Sequence, residues 1–345
     1  MTIKHVEIFR KLFLFVALLV ITGCAGPGRE VPEIVWPLPP DPPKIKYVGI
    51  IKSSLDVHEG DSLSDAIFGA GRDFRLVKPY GVTVDKQNRI YVTDAGKVVI
   101  FDRQNKKVRT LGEEGMGKLM LPSSIAVSSV DGRIYVTDIS QDKIFIYNSQ
   151  YRFERTIGEV GELVNPTAIV IDDKRGRLYV ADSKKNEVIA YSTAGQKQFI
   201  IGKKGIGDGE FHAPAHLTLD GEGNILVTDG LNFRIQTFSP EGKFIRKFGK
   251  LGDAPGTFAR PKGIAVDSEG HIYVVDAAFQ NVQIFDKEGQ VLLAYGKNGI
   301  GPGEFFLPAG ICIDQEDRIY VTEQYTGRIQ IFQYLGERWR QHMPR

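Results

Sequence analysis

The chain is poor in several features that would point to a particular class of protein. Only two cysteines, Cys24 and Cys312, occur in 345 residues, so the sequence excludes a disulfide framework. Lysine and arginine number 44 against 42 aspartates and glutamates. That surplus of two lies in residues 1–23, where Lys4, Arg10 and Lys11 face only Glu7. The balanced remainder argues against an overall electrostatic attraction to nucleic acid or anionic lipid.

What the chain does have is a repeating unit, seen most clearly in residues 261–296. The segment holds four short apolar runs rich in Val, Ile and Tyr, which suit a half-buried pleated surface. Turn signals separate them, at Ser268-Glu269-Gly270 and at Lys287-Glu288-Gly289. No window of helical period reaches ten residues. The pattern therefore predicts a four-stranded antiparallel meander.

The unit recurs six times, and the recurrence indicates the fold. Three positions keep step along the chain: a proline that opens each unit, an acid that closes its second strand, and a glycine that closes its fourth. The acids are Asp94, Asp138, Asp182, Asp229, Asp276 and Glu323, and the prolines are Pro79, Pro122, Pro166, Pro214, Pro261 and Pro308. One such sheet cannot bury both faces, but six arranged radially can. The sequence therefore predicts an all-β, six-bladed β-propeller with four-stranded antiparallel blades.

The later units resemble a known repeat family. GIGDGEFHAPAHLTLD (205–220), GDAPGTFARPKGIAVD (252–267) and GIGPGEFFLPAGICID (299–314) are similar to the NHL repeat, together with the IYVTD-type strands that follow. The resemblance covers roughly residues 44–335, although the first three copies lack the Gly-x-Phe element. It implies a propeller whose relatives are mostly binding scaffolds and, in a few cases, enzymes.

The two chain ends are expected to meet in the last blade. The sixth unit lacks a fourth strand, and residues 44–50 have the ending of one, so we expect them to form the outer strand of the last blade. The alternative is that Glu337 to His342 supplies that strand. The tail is assigned to residues 336–345 and the propeller to 44–335, with an insertion at 52–71. Asp61 or Ser62 could cap a short helix there, and the insertion reads either as a packed surface element or as a lid or docking element at the channel entrance.

The N-terminus has the features of an export signal. A basic stretch precedes a ten-residue apolar run, Leu12 to Ile21, which is too short to span a bilayer comfortably. Ile21-Thr22-Gly23-Cys24 resembles the bacterial lipobox, which implies cleavage before Cys24 and its lipidation; an ordinary signal peptide is the alternative. Residues 1–23 are thus the predicted lipoprotein signal peptide, and the proline-rich residues 24–43 a tether. The resemblance implies a lipid-anchored protein of the cell envelope, at the outer membrane facing the periplasm.

Candidate binding residues follow from counting along each unit. Propeller sites lie at the channel mouth, at the start of each first strand, where most of the residues after the opening prolines are small and uncharged. Only Tyr80, His216 and Lys262 offer reactive or strongly binding groups. These three are the candidate ligand-binding residues.

The sequence offers no convincing catalytic or metal-binding constellation. His212 and His216 have a spacing that would place two ligands on one face of a helix, but Pro214 lies between them in a segment that leads into a strand. The six second-strand acids could form a calcium or catalytic cluster, yet their symmetric repetition favours hydrogen bonds to turn N–H groups. We therefore expect no metal, no cofactor and no catalytic residues.

The sequence is compatible with two functions. The first is a lipid-anchored binding scaffold, a monomeric propeller that holds a protein partner on its channel-mouth face and does not bind nucleic acid. The alternative is a metal-dependent propeller enzyme, a lyase or a lactonase-like hydrolase. The lack of a convergent catalytic set makes the scaffold the leading hypothesis.

Overall fold

The computed structural model describes residues 33–57 and 74–342. It contains six antiparallel sheets, five of four strands and one of five. The first strands of the six sheets contact one another in order around a closed ring, so they line the axis of the molecule. The predicted six-bladed, all-β propeller is therefore confirmed.

The strands of the first three blades follow the chain in simple meanders. Blade 1 holds β3 to β6, at Val82–Val84, Ile90–Asp94, Lys97–Asp102 and Lys107–Leu111. Blade 2 holds β7 to β10, at Pro122–Val127, Ile134–Asp138, Lys143–Tyr147 and Phe153–Ile157. Blade 3 holds β11 to β14, at Pro166–Asp172, Arg177–Asp182, Glu187–Ser192 and Lys197–Ile201.

The last three blades repeat this order, with the chain ends combined in the sixth. Blade 4 holds β15 to β18, at Pro214–Leu219, Ile225–Asp229, Arg234–Phe238 and Phe244–Phe248. Blade 5 holds β19 to β22, at Pro261–Val266, Ile272–Asp276, Asn281–Phe285 and Val291–Tyr295. Blade 6 holds β23 to β25, at Pro308–Ile313, Arg318–Glu323 and Arg328–Tyr334, together with the N-terminal strands β1 and β2, at Val35–Trp36 and Ile45–Ile51.

The hydrophobic core lies between the blades rather than within them. Side chains of the second and third strands are buried on both faces of each sheet, as in Ile90–Asp94, where all five residues are buried. One cluster packs Tyr135 of blade 2 against Ile169 and Tyr191 of blade 3. Fully burying a side chain of this size contributes about 1.5–3 kcal/mol, so each blade depends on its neighbours for stability.

The ring closes through the N-terminal strand, as predicted. Strand β2 pairs antiparallel with β25, from Ile45 opposite Tyr334 to Ile51 opposite Ile329. The observed bounds, Ile45–Ile51, differ by one residue from the predicted 44–50. Residues Glu337–His342 form the helix α1, so the alternative in which they supply the closing strand is wrong.

The fifth strand of blade 6 was not predicted. Strand β1 pairs with β2 through Val35 opposite Lys46 and Trp36 opposite Ile45. The Trp36 ring lies 5.6 Å from the ring of Tyr295 and 5.9 Å from that of Phe332, between centroids. The compact unit begins at Ile34, so the C-terminal part of the predicted 24–43 tether packs on the propeller instead of standing free.

The start of the insertion packs into the seam between blades 6 and 1. Residues Ser54–Asp56 form a 3₁₀ helix whose N-cap, Ser53, accepts a hydrogen bond from the Leu55 N–H. Val57 is 4% exposed and belongs to the cluster that joins the two blades. The predicted helix with Leu63, Ile67 and Phe68 lies outside the described residues, as does Cys24. No described helix is both long and apolar enough to cross a membrane.

Candidate functional site

The first strand of each blade begins at a common level around the axis. We call the residues one and two positions after the opening prolines the channel-mouth ring. It consists of Tyr80-Gly81, Ser123-Ser124, Thr167-Ala168, Ala215-His216, Lys262-Gly263 and Ala309-Gly310. All three predicted binding residues lie in this ring.

Glycines in the ring show how neighbouring blades approach one another. A Cβ on Gly81 would lie 2.8 Å from the Ser123 carbonyl oxygen, and one on Gly310 would lie 2.2 Å from that of Tyr80. Gly263 relates to Ala309 in the same way, at 2.7 Å. The second ring residue of one blade therefore faces the first ring residue of the next.

This relation places His216 against Lys262. His216 is the second ring residue of blade 4, and Lys262 is the first of blade 5. His216 also pairs opposite Thr228 in the same register in which Ser124 pairs opposite Thr137, so the equivalence with the other blades holds. Two predicted residues from different repeats are thus brought together at one seam.

Hydroxyl groups join neighbouring blades at several seams of the channel mouth. Thr322 Oγ1 donates to the Tyr80 carbonyl at 2.6 Å, which joins blade 6 to blade 1. Ser123 Oγ and Thr167 Oγ1 donate to the carbonyls of the next blades' opening prolines, at 2.8 and 3.0 Å. Lys262 replaces such a hydroxyl in blade 5, and it makes no hydrogen bond or ion pair with any described residue. Lys262 therefore does not serve the structural role that Ser123 and Thr167 have at the same position of their blades.

The imidazole of His216 is held in its neutral form. Burial, followed by the charge of Lys262, lowers its pKa to about 4. Its Nδ1 is buried and has no hydrogen-bond partner among the described residues, and the same is true of the Thr228 hydroxyl opposite it. A neutral imidazole beside an ammonium group can accept a proton or a hydrogen bond from a ligand, while the ammonium neutralises negative charge.

Tyr80 does not join this pair. It precedes β3 in blade 1, where its N–H donates to the Thr93 carbonyl at 2.9 Å. Its backbone carbonyl accepts the bond from Thr322 described above, and its side chain is only partly exposed. The Tyr80 backbone therefore helps to join blades 6 and 1, whereas His216 and Lys262 belong to blades 4 and 5.

The second-strand acids have the structural role that their repetition predicted. Asp138 accepts hydrogen bonds from Met120 N and Leu121 N before the first strand, at 2.6 and 3.0 Å. It also accepts from Ser140 N and Gln141 N in the turn that follows, at 3.0 and 3.1 Å. Within the described residues, no group of three or more His, Cys, Asp or Glu side chains is placed to hold a metal ion.

Sequence reasoning missed an arginine that organises the Gly-x-Phe loops. Arg234 is 7% exposed, its Nε lies 2.9 Å from Asp229 Oδ2, and its guanidinium donates to the carbonyls of Ile206, Gly207 and Glu210. Arg328 does the same in blade 6 with Glu323 and the loop at 300–304. Blade 5 has Asn281 at this position, and its loop reads GDAPGTF instead of GIGDGEF. The arginine and the GIGxGEF loop occur together in blades 4 and 6, and both are missing from blade 5. A comparison of the repeats could therefore have identified this arginine from the sequence.

The two faces of the propeller differ in exposed apolar side chains. The channel-mouth face, built from the connections between blades and the turns between second and third strands, carries eleven of them. They are Val77, Met116, Met120, Leu121, Val160, Ile206, Leu231, Leu251, Ile300, Leu307 and Tyr325. Among the described residues the turns and loops of the opposite face carry two, Leu38 and Val130. Every junction between blades contributes at least one side chain to this apolar rim.

Solved structures of other propellers resemble this chain. An auxiliary nutrient binding protein from Bacteroides thetaiotaomicron has 15% identity and a TM-score of 0.59, covering 75% of this chain and 69% of its own. A chain of a nidogen/laminin complex has 20% identity and a TM-score of 0.55, with coverage of 68% and 85%. A catalytically inactive histidine-to-alanine variant of virginiamycin B lyase from Staphylococcus aureus, with quinupristin, has 16% identity and a TM-score of 0.55, with coverage of 74% and 94%. At such identities the likeness shows the fold alone.

Two family models match the sequence itself. One, described as a 6-bladed beta-propeller, matches residues 220–282 and 267–337. The other, the SMP-30/Gluconolactonase/LRE-like region, matches residues 52–250, which is more than half of the chain. No protein of curated function matches the sequence. The chain belongs to the SMP-30/Gluconolactonase/LRE-like family of six-bladed β-propellers.

Proposed function

We propose that the protein is a binding scaffold of the cell envelope that docks a protein partner on its channel-mouth face. The observation that carries the proposal is the apolar rim, because the exposed apolar side chains are concentrated on one face. Exposed apolar groups gathered on one side of a soluble domain mark interaction surfaces. Ile206, Leu251 and Ile300 are 80%, 64% and 67% exposed and lie in equivalent loops of successive blades.

The rigidity of the fold suits this role. The loops that carry the rim are held by buried groups, since Phe211, Phe258 and Phe305 are all 0% exposed beneath them. A partner would therefore meet a preformed surface and would not have to order it, which lowers the entropic cost of binding. A similar fold occurs in a nidogen/laminin complex and in a nutrient binding protein, which supports a scaffold.

The proposal includes anchoring through lipid on Cys24. The lipobox-like Ile21-Thr22-Gly23-Cys24 motivates it, and the anchor would hold the protein at the outer membrane, facing the periplasm. Replacement of Cys24 by Ser is expected to release the protein from the membrane fraction and to remove acyl groups from the mature chain, as measured by mass spectrometry. Membrane association unchanged by Cys24→Ser would contradict the anchor without touching the docking proposal.

Site-specific photo-crosslinking tests the docking face. A photoreactive residue placed at position 206, 251 or 300 in the full-length protein is expected to give one shared crosslinked product in intact cells. The same residue at position 130, on the opposite face and equally exposed, serves as the matched control. The triple variant Ile206→Ser, Leu251→Ser, Ile300→Ser should lower recovery of that partner about tenfold or more, and equal crosslinking from position 130 would refute the proposal.

A lyase or hydrolase is the second candidate, and one observation favours it. His216 and Lys262 pair a neutral imidazole with an ammonium group at a seam of the channel mouth, in a fold shared with virginiamycin B lyase. The described residues do not fit a metal site, so this candidate rests on the pair alone. Turnover of quinupristin by the purified protein, lost in His216→Ala and in Lys262→Gln but retained in His212→Ala, would establish it. Absence of turnover would show that quinupristin is not a substrate of this protein.

A further inference from the structure

Two neighbouring cavities lie at the seam between blades 6 and 1, away from the apolar rim. One has a volume of about 480 Å³ and the other about 310 Å³, and Asn88 lines both. Asn88 belongs to the turn between β3 and β4, and Gln315 and Glu316 of the larger cavity belong to the turn between β23 and β24. Such turns face away from the channel mouth. Cavities of this size are typical of small-molecule sites.

The larger cavity has an aromatic wall that the C-terminal helix supplies. Trp339 of α1 lines it and is partly buried. The helix is fixed to the propeller at its start, where Glu337 N–H donates to Glu269 Oε1 at 2.6 Å, and along its side, where Arg338 donates to the Gln315 carbonyl. The indole is therefore held in place beside the blades.

The remaining lining of the larger cavity is polar, with the cations Lys86 and Arg338 beside planar amide and carboxylate groups. It includes the amides of Asn88, Gln315 and Gln333 and the carboxylate of Glu316. The Gln333 amide is fixed, since its Nε2 donates to the carbonyls of Glu316 and Tyr334 at 2.9 and 3.0 Å. An indole face combined with fixed amide and carboxylate groups suits a ring that has apolar C–H faces and hydroxyl edges.

The smaller cavity adds positive charge. Arg103 and Lys106, from the turn between β5 and β6, line it together with Arg318. Neither Arg103 nor Lys106 is paired with a carboxylate among the described residues. Asp56, the carboxylate in this lining, accepts hydrogen bonds through Oδ2 from the N–H groups of Lys52 and Ser53, both at 2.8 Å. An anionic group is therefore favoured beside Arg103 and Lys106.

We propose that this seam is a binding site for an acidic saccharide. The sugar ring packs on the indole of Trp339, its hydroxyls bond with Asn88, Gln315 and Glu316, and its carboxylate lies toward Arg103 and Lys106. The site is on the face opposite the apolar rim and shares no residue with it. If the saccharide site proved wrong, the docking proposal would be unaffected. If the docking proposal proved wrong, the saccharide site would be unaffected.

Isothermal titration of the detergent-solubilised full chain tests the site, with sodium glucuronate, glucose and inorganic phosphate as probes. Glucuronate is expected to bind saturably, and glucose and phosphate at least tenfold more weakly. In a Trp36→Phe background the remaining tryptophan, Trp339, should report glucuronate binding by a change in its fluorescence. The double variant Arg103→Gln, Lys106→Gln should weaken glucuronate binding about tenfold or more.

Matched variants separate a built site from general charge or misfolding. Arg152→Gln removes an exposed cation from the equivalent turn of blade 2 and should leave glucuronate binding unchanged. Trp339→Ala should abolish saturable binding, and Trp339→Phe should retain part of it. No saturable binding of glucuronate, equal binding of phosphate, or an equal effect of Arg152→Gln would each overturn the proposal.

Discussion

The guanidinium of Arg234 lies 2.9 Å from the carboxylate of Asp229, and both side chains are withdrawn from solvent. The pair links the end of β16 to the start of β17, and Arg234 also holds the loop that brings Phe211 into the core. Loop geometry on the channel-mouth face thus depends on a buried ion pair in the blade beneath it.

Arg234→Met is expected to lower the free energy of unfolding by about 3 kcal/mol, because the buried Asp229 would lose its cationic partner and the carbonyls of Ile206 and Gly207 would lose their side-chain donor. Urea denaturation measures it. Arg133 also pairs with two carboxylates, but at an exposed position, and Arg133→Met should cost less than about 1 kcal/mol. Equal costs for the two variants would contradict a special role for Arg234.

The low pKa of His216 makes stability depend on pH. Because the folded-state pKa, about 4, is below the ordinary value of 6.5, the contribution of His216 is fully present above pH 6.5 and is lost as the pH falls toward 4. Relative to His216→Gln, the wild type should lose about 3 kcal/mol between pH 7 and pH 4. Urea denaturation of the wild type and of His216→Gln at pH 7 and pH 4 gives the two free energies of unfolding that check this.

Titration of the imidazoles by NMR identifies the group. The His216 signal should titrate near pH 4, whereas the hydrogen bond to Asp267 raises the pKa of His271 above its ordinary value. Lys262→Gln should raise the His216 pKa, because the ammonium charge contributes to its lowering. A His216 pKa unaffected by Lys262→Gln would show that the two side chains are not neighbours.

Gly310→Ala is expected to destabilise the propeller by about 1–3 kcal/mol, because the new methyl group would overlap the Tyr80 carbonyl at the seam where the ring closes. Gly221→Ala is the control, since no atom lies within 4 Å of a Cβ built there. Thermal and urea unfolding of both variants compare them. An unchanged free energy of unfolding for Gly310→Ala would contradict this prediction. It would mean that the backbones of blades 6 and 1 can move apart at little cost.

Trp36→Ala should lower the free energy of unfolding by about 2–3 kcal/mol, since the indole packs on Tyr295 and Phe332. Leu38→Ala, two residues further along and 69% exposed, should be nearly neutral. If both substitutions left the free energy of unfolding unchanged in urea denaturation, strand β1 would contribute nothing to the stability of blade 6.

The repeat made the fold predictable, whereas contacts outside the repeat were not. Six units in register place every blade strand, and the missing fourth strand of the last unit points to residues 44–50. Strand β1 has two residues amid prolines, so it shows no period. Its partners, Tyr295 and Phe332, are far away in sequence, and only the closed ring brings them to Trp36.

The residues of the candidate site were predictable from the sequence, but the proximity of His216 to Lys262 was not. Counting from the opening prolines identifies His216 and Lys262, yet their proximity depends on the offset between the first strands of adjacent blades. That offset appears only in the close approaches of Gly81, Gly263 and Gly310 to the neighbouring backbone. The apolar rim escaped notice because each loop supplies only one to three of its members, which is unremarkable in a single loop.

Ring closure has a consequence for biogenesis. Ile45 pairs with Tyr334, so β2 must wait for a strand that is synthesised much later before it finds its partner. Until then the incomplete ring presents two open edges, each able to recruit a second copy of the chain. Folding of such a chain should therefore benefit from chaperones that shield these edges until β25 has been made.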